Sequence, residues 1–310
     1  MEEYKPEGSL ISLPKNREYL ASEQGLRRAE AEGVILEAMA VRCDSEFQLT
    51  VDLGCMKGYI DKTDVQFTEG NEPVRDIAVI TRVGKAVCFK IMGFHTENGK
   101  TVARLSRREA QRECAENYLS ELIPGDIVDA KVTHLENFGA FVDIGCGIVS
   151  LLSIDCISVS RISHPSDRFY IGQHIKAVIK TIDRENRRIY VTHKELLGTW
   201  EENASLFDVG QTVAGIVRSI EEYGIFVELT PNLAGLAEYR DDISVGQTVA
   251  VYIKNIIPER MKLKLIIIDS YRGEVEPERI VSGFSDDVSH IDYWCYSPKS
   301  CSRIIKSNFV

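Results

Sequence analysis

The sequence predicts an all-β protein of three tandem five-stranded barrels of OB type, joined by short connecting helices. Three observations carry this: one stretch recurs at constant offset, apolar and polar residues alternate within each copy, and glycines punctuate short strands where a small closed sheet must bend. GDIVDAKVTHLENFGAFVDI from Gly125 lies without a gap on GQTVAGIVRSIEEYGIFVEL from Gly210, so that Phe138 falls on Tyr223, Gly139 on Gly224 and Phe141 on Phe226. A second block brings Gly172 and Gln173 onto Gly246 and Gln247, Lys180 onto Lys254 and Arg188 onto Lys262. A worn first copy shows where FQLTVDLGC from Phe47 lies on FGAFVDIGC from Phe138.

The elements follow in order. Residues 1–30, with Leu20 and Leu26 in a run of Arg, Ala and Glu, are expected to form a helical extension against a diverged first barrel, 31–108. Ser106 and Glu109 read as a capping box, S/T-x-x-E, opening a connecting helix through 109–122 with Ala110, Cys114, Tyr118 and Leu122 on one stripe. The second barrel spans 123–193; Val128, Ala130 and Val132 alternate with polar neighbours, as do Ile189 and Val191. Thr192 and Glu195 repeat the box before a second connecting helix, 194–205, and a third barrel, 206–269. The tail, 270–310, holds Tyr293, Trp294 and Tyr296, is too short for a domain, and is expected to pack on the third barrel or stay mobile.

Charge constrains function less than its total suggests. Acidic residues number 47 against 37 basic ones, a formal charge of -10, whereas phosphate binding is driven by Lys and Arg. Acids and bases are nevertheless equal in number over 31–108 and over 123–200, so basic stripes can exist on the first two barrels. The eight cysteines form no C-x-x-C pair and have no histidine at finger spacing, which reads as buried reduced thiols with no metal or cofactor. No apolar run reaches membrane-spanning length and the N-terminus has no leader character, so the cytoplasm is the expected location, with no membrane partner.

Small barrels hold single strands by offering aromatic faces for stacking beside cations that follow the backbone. Phe138 and Phe141 flank a glycine where Val132, Val142 and Ile144 already supply core, so at least one ring is expected outside. Arg188 and Tyr190 face outward on the last strand, with Lys131, Lys180, Arg184 and Arg187 in reach, and His134 could stack or hydrogen-bond. The third copy repeats the pattern with Tyr223, Phe226, Lys262 and Lys264. The competing reading is plain: a Phe in a strand usually belongs to the core, and strand charges are usually just solvated.

FGAFVDIG after a GDIV opening, followed by GQHIKAVIKTIDRENRRIYVTHKE, closely resembles the RNA-binding domain repeated in bacterial ribosomal protein S-one, and the resemblance runs over about 31–269. It implies a protein that binds single-stranded RNA, messenger RNA included, and that associates with the small ribosomal subunit in translation. It also implies that Phe138 and Phe141 are the aromatic pair, Asp183 the acid and Arg188 the arginine of the RNA face. The family's third-strand histidine is missing: Ser153, Glu238 and Asp61 stand at that position in the second, third and first copies. The third copy has Ile257 where Asp183 stands, and the first keeps Phe47 but has Thr50 at the second ring, so the first is expected to dock rather than contact RNA. An enzyme would need a domain to hold clustered carboxylates or a positioned histidine, and barrels consume almost the whole chain, so none is expected. The alternative carried forward is a protein-interaction scaffold whose barrels no longer bind RNA.

Overall fold

Alternating strands separated by glycine turns close here into three five-stranded sheets. The computed structural model describes residues 4–68, 73–97, 99–186, 188–271 and 287–310; Arg187 and tail residues 272–286 therefore lie outside the described residues. Two helices, α1 (Pro14–Leu20) and α2 (Glu23–Glu32), precede the first sheet. Ser22 caps α2 by accepting the Gly25 N–H at 3.1 Å, and Tyr19, Leu26 and Ala29 are buried in the core of the first barrel. That barrel comprises β1 (Leu36–Cys43), β2 (Leu49–Asp52), β3 (Lys57–Ile60), β4 (Ala86–Glu97) and β5 (Lys100–Ser106), with α3 (Asp76–Ile80) inserted before β4. Its closed order is β1-β2-β3-β5-β4, in which only β3 and β5 run parallel.

The connector α4 (Arg107–Cys114) starts where Ser106 Oγ accepts the Glu109 N–H at 3.1 Å, and it continues as a wider turn over Ala115–Leu119. Ala110, Cys114, Leu119 and Leu122 are buried, while Tyr118 is half-buried. The second barrel comprises β6 (Ile127–Glu136), β7 (Gly139–Asp143), β8 (Val149–Ser153), β9 (His174–Asp183) and β10 (Arg188–Thr192). Its successor comprises β11 (Thr212–Glu221), β12 (Gly224–Thr230), β13 (Leu233–Ala237), β14 (Thr248–Ile257) and β15 (Lys262–Ser270), and all three barrels share one circular order.

The second connector corrects the sequence reading. Thr192 does not open a helix: its hydroxyl lies 2.6 Å from the Glu195 carboxylate and 3.2 Å from the Cys156 carbonyl, the two acceptors open to its one hydrogen, and only a single 3-10 turn, Lys194–Leu197, follows. Gly198 breaks that turn, and a second box, Thr199 with Glu202, caps both ways and starts α5 (Trp200–Ala204). In the tail β16 (Tyr293–Cys295) pairs with β17 (Lys306–Asn308), Tyr293 is exposed, and Trp294 and Tyr296 are buried in the cluster that holds Trp200, Val217 and Leu233. The Tyr296 hydroxyl donates to the Asn232 carbonyl. No helix among the described residues is long and apolar enough to cross a membrane.

Two compact units result: Met1–Leu122 with Asp129–Lys131 and Asp143–Val149, and Ile123–Val128 with Val132–Val142 and Ser150–Val310. In the first, Glu37 accepts the N–H groups of Gly8, Leu10 and Ile11 at 2.8 to 3.0 Å, and Asp143 accepts that of Glu7 at 2.7 Å. The Glu7 carboxylate is paired with Arg107 at 2.6 Å, so the chain start is fastened by charge as well as packing. In the second, Arg168 binds Glu228, which also holds Arg218 at 3.0 Å, while Arg218 reaches Asp167 at 3.2 Å.

The recurring motifs now have reasons. Gln173, Gln211 and Gln247 each close a turn by accepting the N–H three residues back at 3.0 Å. Gly139 and Gly224 open the second strands of their barrels because a methyl group at either would stand 2.4 Å from a third-strand carbonyl oxygen, that of Leu152 or of Ala237. Gly139→Ala is therefore expected to destabilise the protein by about 1–3 kcal/mol, read as a lowered denaturation midpoint, with an unchanged midpoint contradicting the close approach.

Protonation gives the two units opposite trends. Burial pushes the Glu37 carboxyl up to about 7, so its contribution to stability is fully present below the ordinary carboxylate value and is lost as pH rises through 7. Burial pushes the His193 imidazole down to about 4, so stability there is lost as pH falls from 6.5 toward 4. Hydrogen exchange between pH 4 and 7 is expected to show first-unit protection weakening and second-unit protection strengthening as pH rises, and Glu37→Gln is expected to reduce the first trend, with buried Asp143, also pushed up to about 7, keeping the remainder.

Candidate nucleic-acid interface

Strand register assembles the face residue by residue. In the third barrel Ser219 pairs with Phe226, Phe226 with Leu236, Leu236 with Lys264, and Lys264 with Asn255, one row crossing all five strands. In the second barrel Leu151 pairs with Tyr190 and Tyr190 with Thr181, the positions that the repeat lays on Leu236, Lys264 and Asn255. His134 and Phe141 fall on Ser219 and Phe226, and their rings stack with centroids 6.4 Å apart and planes at 27°. The second-barrel row is therefore His134, Phe141, Leu151, Tyr190 and Thr181, richer in rings than its counterpart.

Phe138 sits in the turn between β6 and β7, 54% exposed, with its ring edge-on to Phe141 at 6.0 Å and 89°. Tyr223 repeats this against Phe226 at 6.1 Å and 88°, and is 70% exposed. Gly139 and Gly224 explain the shared geometry, since strand backbone fills the space beside them and the flanking ring turns toward water. Phe138 and Phe141 are thus not sealed in the core, and a flat apolar surface with a free face is what an unpaired base can stack upon.

The charged positions divide. Arg188 pairs directly with Asp183 at the mouth of the β9–β10 hairpin, as Lys262 does with Ile257. Arg188, Arg184 and Lys262 are exposed. The Asp183 carboxylate closes its hairpin, accepting the Asn186 backbone N–H at 2.9 Å and its side-chain amide at 2.8 Å, and those bonds hold it below the usual carboxylate range. Lys180 lies against the Cys156 sulfur at 3.0 Å, a contact that raises its pKa.

Lys131 corrects the list of face cations. Its ammonium donates to the Glu7 carbonyl at 2.7 Å and is occupied by the chain's own start rather than offered with the rings. Separately, the first strand of the repeat carries a bulge that bears on His134: register shifts between Val217 and Ser219 in the third barrel and between Ala40 and Arg42 in the first. Carried over by the repeat, that shift falls between Val132 and His134, so the outward set before it and the outward set after it have opposite parity. Glu136 was not among the sequence candidates; its carboxylate stands 2.8 Å from His134 Nε2, and only the stacking of His134 on Phe141 draws attention to it.

Among the described residues the first barrel shows no comparable pair of rings. Phe47 has Lys62 Nζ 4.8 Å above its ring, and Lys62 is itself paired with Asp76, so its own chain occupies the ring. Among the described residues no group of three or more His, Cys, Asp or Glu could hold a metal ion.

Comparison with known proteins accords with this architecture. The S1 RNA binding domain matches residues 121–194, the segment that forms the second barrel and carries its ring row. The small ribosomal subunit protein bS1 of Rhizobium meliloti is 29% identical over 233 residues, covering 70% of this chain and 39% of its own. The chain thus carries a segment that matches the S1 RNA binding domain and is similar over most of its length to bS1 proteins. The bS1 proteins of Chlamydia muridarum and Staphylococcus aureus are also 29% identical, covering 61% and 71% of this chain and 35% and 58% of their own lengths. The chain thus spans between about a third and three-fifths of the length of these curated relatives. Among solved structures, a multidomain protein with nucleic acid binding domains from Streptococcus pneumoniae overlaps at 15% identity and a TM-score of 0.25, over 79% of this chain and 76% of that one.

Proposed function

We propose that the chain binds single-stranded RNA on the ring row of the second barrel, with the third barrel as a weaker continuation of the same binding mode. The carrying observation is the paired exposure of Phe138 and Tyr223, each edge-on to a second ring and each held out by a glycine whose strand crowds its neighbour. Stacking supplies affinity without demanding one base, and the exposed Arg184, Arg188, Lys262 and Lys264 supply charge for the phosphates. Tyr190 adds a ring in the second barrel where Lys264 gives the third a cation.

The three barrels act as OB-type modules with boundaries near 31–108, 123–193 and 206–269. The first serves for docking, since Lys62 covers its ring. The names of the bS1 relatives support an association with the small ribosomal subunit, hence with the cytoplasm, as a binding protein rather than an enzyme, and messenger RNA is the single strand we assign to the ring row.

Titration of the purified chain with an unstructured RNA tests this. Phe138→Ala and Phe141→Ala are each expected to weaken binding by about 1–3 kcal/mol, with a wild-type salt slope near -0.7 per phosphate contacted. If both variants stay folded and bind as wild type does, the assigned face is wrong. If the wild type binds no RNA at all, the barrels are a protein-interaction scaffold.

A further inference from the structure

We infer that the second barrel prefers guanine among the bases it stacks, and that Glu136 makes the choice. The inference deepens the RNA-face reading above and rests on it. Glu136 closes β6 two residues before Phe138, its side chain is 45% exposed, and among the described residues its hydrogen-bond partner is His134, whose Nε2 lies 2.8 Å from Oε1. A carboxylate can only accept, so the ring nitrogen that faces it carries the hydrogen. His134 is in turn stacked on Phe141, which meets Phe138 edge-on. The acid is thereby fixed at the rim of the stacking platform.

An acid beside a polyanion is unfavourable unless it meets a hydrogen-bond donor. Its repulsion from the phosphates is offset only where the ligand turns N–H groups toward it. A base stacked on the platform presents its Watson–Crick edge at the rim, and unpaired RNA bases are read along that edge. Guanine has two neighbouring donors there, the ring N1–H and the exocyclic amino group, matching the two oxygens of a carboxylate. Uracil has one N–H between two carbonyl oxygens, while adenine and cytosine each place an amino group beside an accepting ring nitrogen. Against those three bases the second carboxylate oxygen faces a lone pair. Glu136 therefore gains two bonds from guanine and meets repulsion from every other base.

The third barrel supplies an internal contrast. Glu221 falls on Glu136 by the repeat, but Ser219 replaces His134, so no ring pins that acid to the rim. Discrimination belongs to the second barrel, and His134 is its positioning residue.

The test uses the full chain and a uridine oligomer of about ten nucleotides, alone or with one central uridine replaced by guanosine, inosine, adenosine or cytidine. Guanosine is expected to tighten binding on the order of tenfold over adenosine or cytidine, and inosine, which keeps N1–H but lacks the amino group, by less. Glu136→Gln is expected to abolish the guanosine preference while binding the all-uridine oligomer at least as well, and His134→Ala to reduce the preference. Glu221→Gln is expected to leave it intact. Equal binding of all five oligomers by the wild type, with Phe141→Ala still weakening each, would overturn the guanine inference and leave the RNA face standing. Preference retained in Glu136→Gln would also overturn it. Absence of binding to every oligomer would overturn the RNA-face reading itself.

Discussion

The close approach of two strands at one glycine governs the rest of the architecture. In the second and third barrels the second strand begins so near the third that a single methyl group would collide with a carbonyl oxygen. In these two barrels that approach draws the sheet tight over a core of Val, Ile and Leu, and the aromatic residue just before it is exposed. The platform on the surface and the tightness of the barrel are therefore two results of one constraint. A change that relaxed the approach would blunt both stability and the presentation of Phe138 or Tyr223.

From that common frame the copies diverge by what covers or extends the ring row. In the first barrel a lysine paired with an aspartate lies over Phe47 and occupies it. In the third, a lysine stands where the second has a tyrosine, and serine where it has histidine, trading stacking surface for charge. The second barrel keeps the largest run of rings and fixes an acid at its rim. Net acidity is compatible with this division because acids and bases are equal in number over 123–200, so the acidic surplus lies outside the second barrel.

Much of this was legible before any coordinates. Constant-offset repeats fix strand order as well as strand content, so the lysine and arginine that share a repeat position also share a register partner position, Ile257 for Lys262 and Asp183 for Arg188. What escaped were features that depend on contacts distant in sequence or on a one-residue irregularity. Lys131 is taken up by a carbonyl 124 residues away, which no local pattern announces. A bulge in the first strand reverses which residues face outward beyond Val132, so alternation counted from Val128 turns His134 inward, whereas it is exposed. Two S/T-x-x-E strings lie seven residues apart in the second connector, and both read alike until Gly198 is seen to end the first as a single turn. Glu136 escaped because an acid next to a turn is ordinary; its partner ring, not its own spacing, marks it.

Photocrosslinking is the most direct measurement of the central claim. RNA carrying a photoactivatable uridine would be bound to the intact chain, irradiated, and the adducts mapped by peptide mass. The account predicts adducts concentrated on residues 134–141 and 190, with a weaker set around 223–226. Adducts confined to the first barrel, or spread evenly over the surface, would contradict it.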